Sequence, residues 1–270
     1  MWNHARAILA LSIASVITLI LGSTGIKTAI FFKLLRLRFP KIKNQAYRVI
    51  WLWAFLVETI CIKLILRITV TATSGVMPAS KDEVVVCFGN HPSTFAIPSF
   101  VRFITSNICG DILAIAKKEY KYHPIGLLLW CFDAGIFVDR ENSAKSKVAV
   151  EEGIRKLART PSAIIIFPDL HRPCEELIIK DRKKYETKII GIEKWLHHTL
   201  VPRSGGLFTL LQSLNGRNNF RAVHIMTAVS RDDSRLWNTR NLCGAKLKMD
   251  AKQIHIPPCS QWALAVYLLN

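Results

Sequence analysis

Acidic residues are scarce in this chain of 270 residues: 19 Asp and Glu stand against 37 Lys and Arg, a formal net charge of +18. Such a balance points to an anionic partner, whether nucleic acid, a phospholipid surface or a phosphorylated substrate. No recognisable nucleic-acid module accompanies the charge, so nucleic acid is not expected as the partner. A Cys-x-x-Cys pair is also missing. The seven cysteines (Cys61, Cys87, Cys109, Cys131, Cys174, Cys243 and Cys259) are odd in number and mostly in apolar settings. Reduced structural thiols fit them better than a disulfide framework or a zinc site, and no metal is expected. The absence of a Gly-x-Ser-x-Gly elbow weighs against hydrolase chemistry. Internal repeats and low-complexity tracts are absent too, and the length suits one large domain plus a membrane anchor.

Apolar residues are plentiful instead: they make up 50% of the chain, and the mean hydropathy is +0.24. Residues 7–26 carry no charge and lie between Arg6 and Lys27. Twenty such residues match a bilayer core of roughly 30 Å. A retained transmembrane helix and a cleaved signal peptide both fit, and the retained helix is favoured. Lys27, Lys33, Arg36, Arg38, Lys41 and Lys43 follow as a basic juxtamembrane stretch, suited to an anionic leaflet on the cytoplasmic side. Residues 49–70 form a second hydrophobic segment, which carries Glu58, Lys63 and Arg67 among its tryptophans. Charges of that kind are expensive in lipid, so this helix is expected in the interface or packed on the first. Residues 1–70 are therefore read as membrane-anchoring helices, 71–82 as a linker and 83–270 as the globular domain.

Within that domain, short apolar runs alternate with amphipathic segments. Residues 83–88, 112–116, 135–138, 163–167 and 222–228 are predicted as strands, 145–159 as a helix and 262–269 as a closing helix. Interleaved strands and helices predict an α/β domain around a mostly parallel sheet, with ligands at the carboxyl ends of the strands. One such end delivers His91, within Asn90-His91-Pro92-Ser93, where an imidazole acts as a base near neutral pH. Arg140 and Arg172 each follow an apolar strand and an acidic residue, and their guanidinium forks suit a phosphate. Lys117 and Lys118 would add point charge to the same anion. A solvated basic face is the alternative for all four.

Four segments in order resemble motifs of the lysophospholipid acyltransferase family, which includes the 1-acylglycerol-3-phosphate acyltransferases. Asn90-His91-Pro92-Ser93 is similar to the start of its N-H-x-S-x-x-D motif. Ala116-Lys117-Lys118-Glu119-Tyr120, with His123-Pro124-Ile125-Gly126, resembles the K-K-E-L-K-x-x-P-x-x-G run that leads to the second motif, here Gly135-Ile136-Phe137-Val138-Asp139-Arg140. Phe167-Pro168-Asp169-Leu170-His171-Arg172 stands where the family has F-P-E-G-T-R. Leu200-Val201-Pro202-Arg203, continuing to Gln212-Ser213-Leu214, is similar to the lysophosphatidate and lysocardiolipin branch.

The resemblance implies a glycerolipid acyltransferase fold. It also implies acyl transfer from acyl-CoA, as co-substrate with no cofactor, to a lysophospholipid such as lysophosphatidate. His91 would be the catalytic base, and Asp169 would take the acceptor-contacting glutamate position. Asn90, Ser93, Asp139 and Pro202 are further motif positions, with Ser93 favoured as a helix cap and Pro202 equally readable as a turn proline. An intracellular membrane such as the endoplasmic reticulum is the expected location. Two departures fall in the motifs: Ala96 stands in place of the first motif's aspartate, and Leu170-His171 in place of glycine-threonine. Asp133, Asp169 or a backbone carbonyl is left to orient His91, or His171 takes over some proton chemistry. The alternative is a catalytically impaired homologue that binds lipid or scaffolds a partner.

Overall fold

The computed structural model describes residues 2–36, 46–80, 83–90, 93, 96–109, 112–131, 133–139, 141–156, 162–168, 175–186, 200–201, 205–214, 220–230 and 243–254. Seven strands form one sheet: β1 (Thr69–Ser74), β2 (Val84–Phe88), β3 (Ile112–Lys117), β4 (Gly135–Val138), β5 (Ser162–Ile166), β6 (Phe220–Ser230) and β7 (Lys246–Ile254). Their order is β1-β7-β6-β2-β5-β3-β4. β6, β2, β5, β3 and β4 run parallel, whereas β7 pairs antiparallel with β6 and parallel with β1. The helices are α1 (Trp2–Arg36), α2 (Ala46–Leu56), α3 (Ala96–Asn107), α4 (Pro124–Cys131), α5 (Ser143–Lys156), α6 (Glu175–Tyr185) and α7 (Gly205–Leu214). A π-helical segment, Val57–Ile65, continues α2, and a 3-10 segment, Lys118–Tyr122, continues β3.

The fold is α/β, with a mostly parallel sheet flanked by helices. β2 and β5 are buried on both faces, which is why Val-Val-Val-Cys-Phe and Ser-Ala-Ile-Ile-Ile read as continuous apolar runs. Alternate residues serve opposite layers. Val85, Cys87, Ala163 and Ile165 join the cluster that holds α3 and the N-terminal helices. Val84, Val86, Phe88, Ile164 and Ile166 join the one that holds α5 and α7. All five predicted strands are present within a residue or two of their expected ends. The amphipathic helix expected at 145–159 is α5, and the closing helix expected at 262–269 lies outside the described residues.

Residues 71–74 depart from expectation. Read as linker, they belong to β1 and pair with β7 from Thr71↔Lys248 to Ser74↔Ala251. Thr-Val-Thr-Ala-Thr-Ser is rich in β-branched residues, and the pairing supplies ladder partners that no linker would have.

The N-terminal helices share a core with the sheet. Ala7 and Ala10 of α1, Trp53 and Ala54 of α2, and Cys61 and Ile62 of the π segment belong to the cluster that contains Val85 and Ile225. Small residues on α1 allow close approach there. The Trp53 indole N–H donates to Thr18 Oγ1 (3.1 Å), and the Thr18 hydroxyl in turn donates to the Ala14 carbonyl (2.7 Å). The opposite face of α1 leaves Ile8, Leu9, Val16, Leu19 and Ile20 exposed. Residues Trp2–Thr24 are long and apolar enough to cross a membrane by length and composition. Glu58 and Lys63 of the second hydrophobic segment find one another at 2.8 Å, and Glu58 also meets Arg102 of α3 at 2.7 Å. Of the two arrangements open to that segment, the structure shows packing against α1.

Candidate active site

β2 lies between β5 and β6; β2 and β5 end together at Phe88 and Ile166, whereas β6 runs on past His224 to Ser230. A chain leaving such an edge places its next residues where neighbouring strands also release theirs. Gly89 and Asn90 follow β2 directly. A Cβ at Gly89 would overlap the Ile225 carbonyl oxygen and press on the Phe100 ring, so close approach of β6 and α3 requires glycine there. The Asn90 amide acts as an artificial strand partner: its Nδ2 donates to the Thr227 carbonyl (2.7 Å), and the Thr227 N–H donates to its Oδ1 (2.8 Å). Asparagine suits this because it carries both a donor and an acceptor on one short planar group. The clamp fixes the backbone at the residue to which His91 is bonded. His91 and Pro92 lie outside the described residues. Ser93 accepts the Ala96 N–H on its carbonyl (3.0 Å), closing the turn that enters α3. Ala96, at the position resembling the motif aspartate, is the first residue of α3 and is buried.

The third segment comes alongside, since Phe88 and Ile166 are register partners. Phe167 packs its ring against Phe100 of α3, with centroids 4.8 Å apart. Asp169 and Arg172 fall outside the described residues. On the far flank, β3 ends in half-buried Lys117, and β4 pairs with it through Val138. Lys118 meets Asp139 at 3.6 Å, with the lysine side chain mostly exposed. Asp139 also shapes a turn: its Oδ1 accepts the Glu141 N–H (3.2 Å), and its carbonyl accepts those of Asn142 (3.1 Å) and the Ser146 hydroxyl. Asn142 then caps α5 by accepting the Lys145 N–H (3.0 Å). Arg140, inside this turn in sequence, is not among the described residues, and neither is Pro202. Gly126 of the run after β3 has a steric reason, because a Cβ there would overlap the Tyr120 carbonyl oxygen and part α4 from the 3-10 segment.

Asp133 does not reach this centre. It precedes β4, in a turn with φ 55, and β5 and β3 separate β4 from β2. Three inter-strand steps put its backbone roughly 14 Å to the side, beyond a carboxylate's reach. As the group that orients His91 it is excluded by the strand order, which the sequence does not display.

Three polar residues that matter here are not evident from the sequence. Thr227 is one, through the clamp. Asp181 of α6 is buried and accepts the Val201 N–H (3.1 Å), which fixes the chain just ahead of Pro202. His224 is the third: it pairs in register with Phe88 and stacks on its ring, with centroids 5.0 Å apart. The alternation through β6, which puts Val223 and Ile225 in the core, was the available signal. Burial lowers the His224 pKa below its ordinary value of 6.5. The unfolded chain therefore takes up a proton that the folded chain refuses, so stability falls as pH drops below about 6.5. Thermal midpoints between pH 8 and 5 should show this, and His224→Phe should flatten that part of the profile. Among the described residues, no group of three or more His, Cys, Asp or Glu is placed to hold a metal ion.

No protein-family model matches this sequence, and no curated protein is similar to it. A solved structure is similar: the crystal structure of the 1-acyl-sn-glycerophosphate (LPA) acyltransferase PlsC from Thermotoga maritima. It superposes with a TM-score of 0.61 at 14% sequence identity, over 98% of this chain and 92% of that one. The two chains share a fold along almost their whole lengths.

Proposed function

We propose that this protein is a membrane-bound acyltransferase that moves a fatty acyl group from acyl-CoA to the free hydroxyl of a lysophospholipid such as lysophosphatidate. The observation that carries the proposal is the coincidence of two independent likenesses. The fold matches that of a lysophosphatidate acyltransferase over nearly the whole chain. Three of the four segments that resemble the family's motifs, those beginning at Asn90, Ala116 and Phe167, lie at the carboxyl ends of β2, β3 with β4, and β5, at one edge of the sheet.

In this reading His91 removes the proton from the acceptor hydroxyl as its oxygen attacks the thioester carbonyl. The tetrahedral intermediate collapses with loss of the CoA thiolate, which takes the proton back from the imidazolium. Product ester and free CoA leave, and no acyl-enzyme forms. Arg140, Arg172, Lys117 and Lys118 attract the phosphate, with Asp169 at the acceptor. Lys118 can serve only by sharing its charge with Asp139. The exposed apolar face of α1 seats the protein on the bilayer; α4 packs on α1, and Tyr122 of the 3-10 segment and Trp130 of α4 are exposed, with Lys121 over the Trp130 ring at 4.8 Å. Aromatic and basic residues together suit the headgroup layer. Loss of α1 as a signal peptide would strip Ala7 and Ala10 from the core, which favours a retained helix.

A second reading, an impaired homologue that binds lipid without turning it over, is favoured by the methyl group at Ala96. The experiment that separates the two is transfer from radiolabelled acyl-CoA to a lysophospholipid panel, by membranes carrying wild type or Ala96→Asp. Product from wild type is expected. A carboxylate at the start of α3 gains from the helix N-terminus and should raise turnover about tenfold or more, within the 10⁴ that an orienting carboxylate is worth in a serine-protease triad. A folded wild type without product on any acceptor refutes the enzyme reading, and activity confined to Ala96→Asp establishes the impaired one.

A further inference from the structure

We propose that β1 is a docking edge: an extended, acidic segment of a partner protein adds to the sheet beside it, and Lys246 and Lys248 of β7 select its carboxylates. The inference goes beyond the acyl-transfer reading and does not depend on it, since none of these residues lies in the segments assigned to substrate.

β1 is the last strand on its side of the sheet, with β7 as its neighbour among the described residues. The Thr69 N–H donates to the Ala245 carbonyl (3.0 Å), and the Gly75 N–H donates to the Ala251 carbonyl (3.3 Å). Alternate residues of a parallel ladder bond to the same neighbour, so Thr71 and Thr73 face β7 as well. Val70, Ala72 and Ser74 therefore turn their N–H and C=O groups outward. Natural sheets blunt such an edge with lysine, proline, a bulge or a covering element. β1 has none of these. Thr-Val-Thr-Ala-Thr-Ser is uncharged, its register with β7 is unbroken, and every residue but Val70 is exposed. A row of open donors and acceptors on an extended backbone is what a peptide uses to add itself as a strand.

Charge decides the chemistry of that peptide. On the face of the sheet away from α1, the layer of α5 and α7 covers β6 at Ala222 but leaves Met226 47% exposed. Lys246, Lys248 and Lys252 of β7 face water on the same side. Asp250 among them is engaged by the Thr73 hydroxyl (2.9 Å) and by Lys252 (3.6 Å). Lys246 and Lys248 have no ion-pair partner among the described residues, and the short side chains of Thr69 and Thr71 are all that separates them from the open edge. A strand added to β1 lies about 9.5 Å from β7, a gap that lysine and glutamate side chains close together over a threonine. A second copy of this chain offers no such match. Its β1 carries no carboxylate, and antiparallel pairing of two copies brings the lysines of both to one face. The sheet also stands between these lysines and a bilayer seated against α1.

The test uses the full-length protein in nanodiscs of zwitterionic lipid, with a short fluorescein-labelled peptide that alternates glutamate and threonine. A lysine–threonine peptide controls for the sign of charge. Lys180→Glu with Lys183→Glu, on the exposed side of α6, controls for the general positive charge of the chain. Anisotropy should show the acidic peptide binding and the basic one not. Lys246→Glu with Lys248→Glu should weaken that binding about tenfold or more, because it sets like charges against each other. Ala72→Pro should weaken it about as much with the melting temperature within a few degrees of wild type, since it deletes an outward N–H and no β1–β7 bond. On binding, amide exchange should slow at Val70, Ala72 and Ser74 more than at Thr71 and Thr73. If Ala72→Pro melts early, that exchange pattern decides in its place. Equal binding of the two peptides overturns the proposal, and so does a loss on reversing α6 that equals the loss on reversing β7. Binding that Ala72→Pro leaves intact reduces the effect to charge attraction and also overturns it. Dimerisation without peptide that Ala72→Pro abolishes assigns the edge to a second copy instead.

Discussion

His91→Ala is expected to lower acyl transfer by about 10²–10⁴-fold, the usual worth of a positioned general base. The thermal midpoint should stay within a few degrees of wild type. The elements on either side of His91 explain that separation of effects. β2 is held by β5 and β6 along its whole length, Asn90 is clamped to Thr227, and α3 is seated by Phe100 and Ile104 in the core. None of these contacts draws on the imidazole. The assay uses membranes with matched amounts of folded protein, so that a fall in product reports chemistry and not abundance. Transfer by His91→Ala at more than a tenth of the wild-type rate would remove His91 from the role of base. His224 is the nearest described histidine by register, but its ring stacks on Phe88 and burial lowers its pKa below the ordinary value.

Glu58→Ala should be the most damaging substitution outside the active edge. Glu58 is 4% exposed, in the π-helical segment, and accepts from Arg102 at 2.7 Å and from Lys63 at 2.8 Å. Arg102 also lies over the Phe55 ring, 4.9 Å from its centroid. Removing the carboxylate leaves two cations facing an apolar wall. Breaking a buried pair on one side costs roughly 3–5 kcal/mol. Arg102 and Lys63 both keep partial access to water, so about 2–3 kcal/mol is the better expectation. In a chain of this length that lowers the melting temperature by about 5–10 °C. The double replacement Glu58→Leu with Arg102→Met should recover most of the loss, because it removes both members of the closest pair and fills the same volume. A single mutant that melts with wild type would show that the ion pairs do not secure the N-terminal helices to α3.

The central strands were legible because they are buried on both faces, and such strands carry their signature in composition alone. β7 was not, although Lys246-Leu247-Lys248-Met249-Asp250-Ala251-Lys252 alternates cleanly. Its exposed lysines belong to a strand with one wet face, and a search for apolar runs passes over it. β1 was hidden for a related reason: its threonines and short length look like linker until β7 is in place to pair with them. At the active edge, the sequence pointed to the strand ends and to the residue types expected there. It did not show which ends are neighbours, so Asp133 looked as available to His91 as any other carboxylate.

Local chemistry determined what the sequence could settle unaided. The run of small and aliphatic residues in α1 is apolar in any arrangement, the excess of 37 basic over 19 acidic residues is a fixed charge, and β2 and β5 are too apolar to lie outside a core. Tertiary structure alone decided the pairings: Asn90 with Thr227 across 137 residues, Glu58 with Arg102 across 44, and Thr18 with Trp53 across 35. Each joins polar groups whose partner is selected by the order of strands and the packing of helices. A hydrogen bond needs its two atoms about 3 Å apart, and only the closed fold sets distances on that scale between residues remote in the chain.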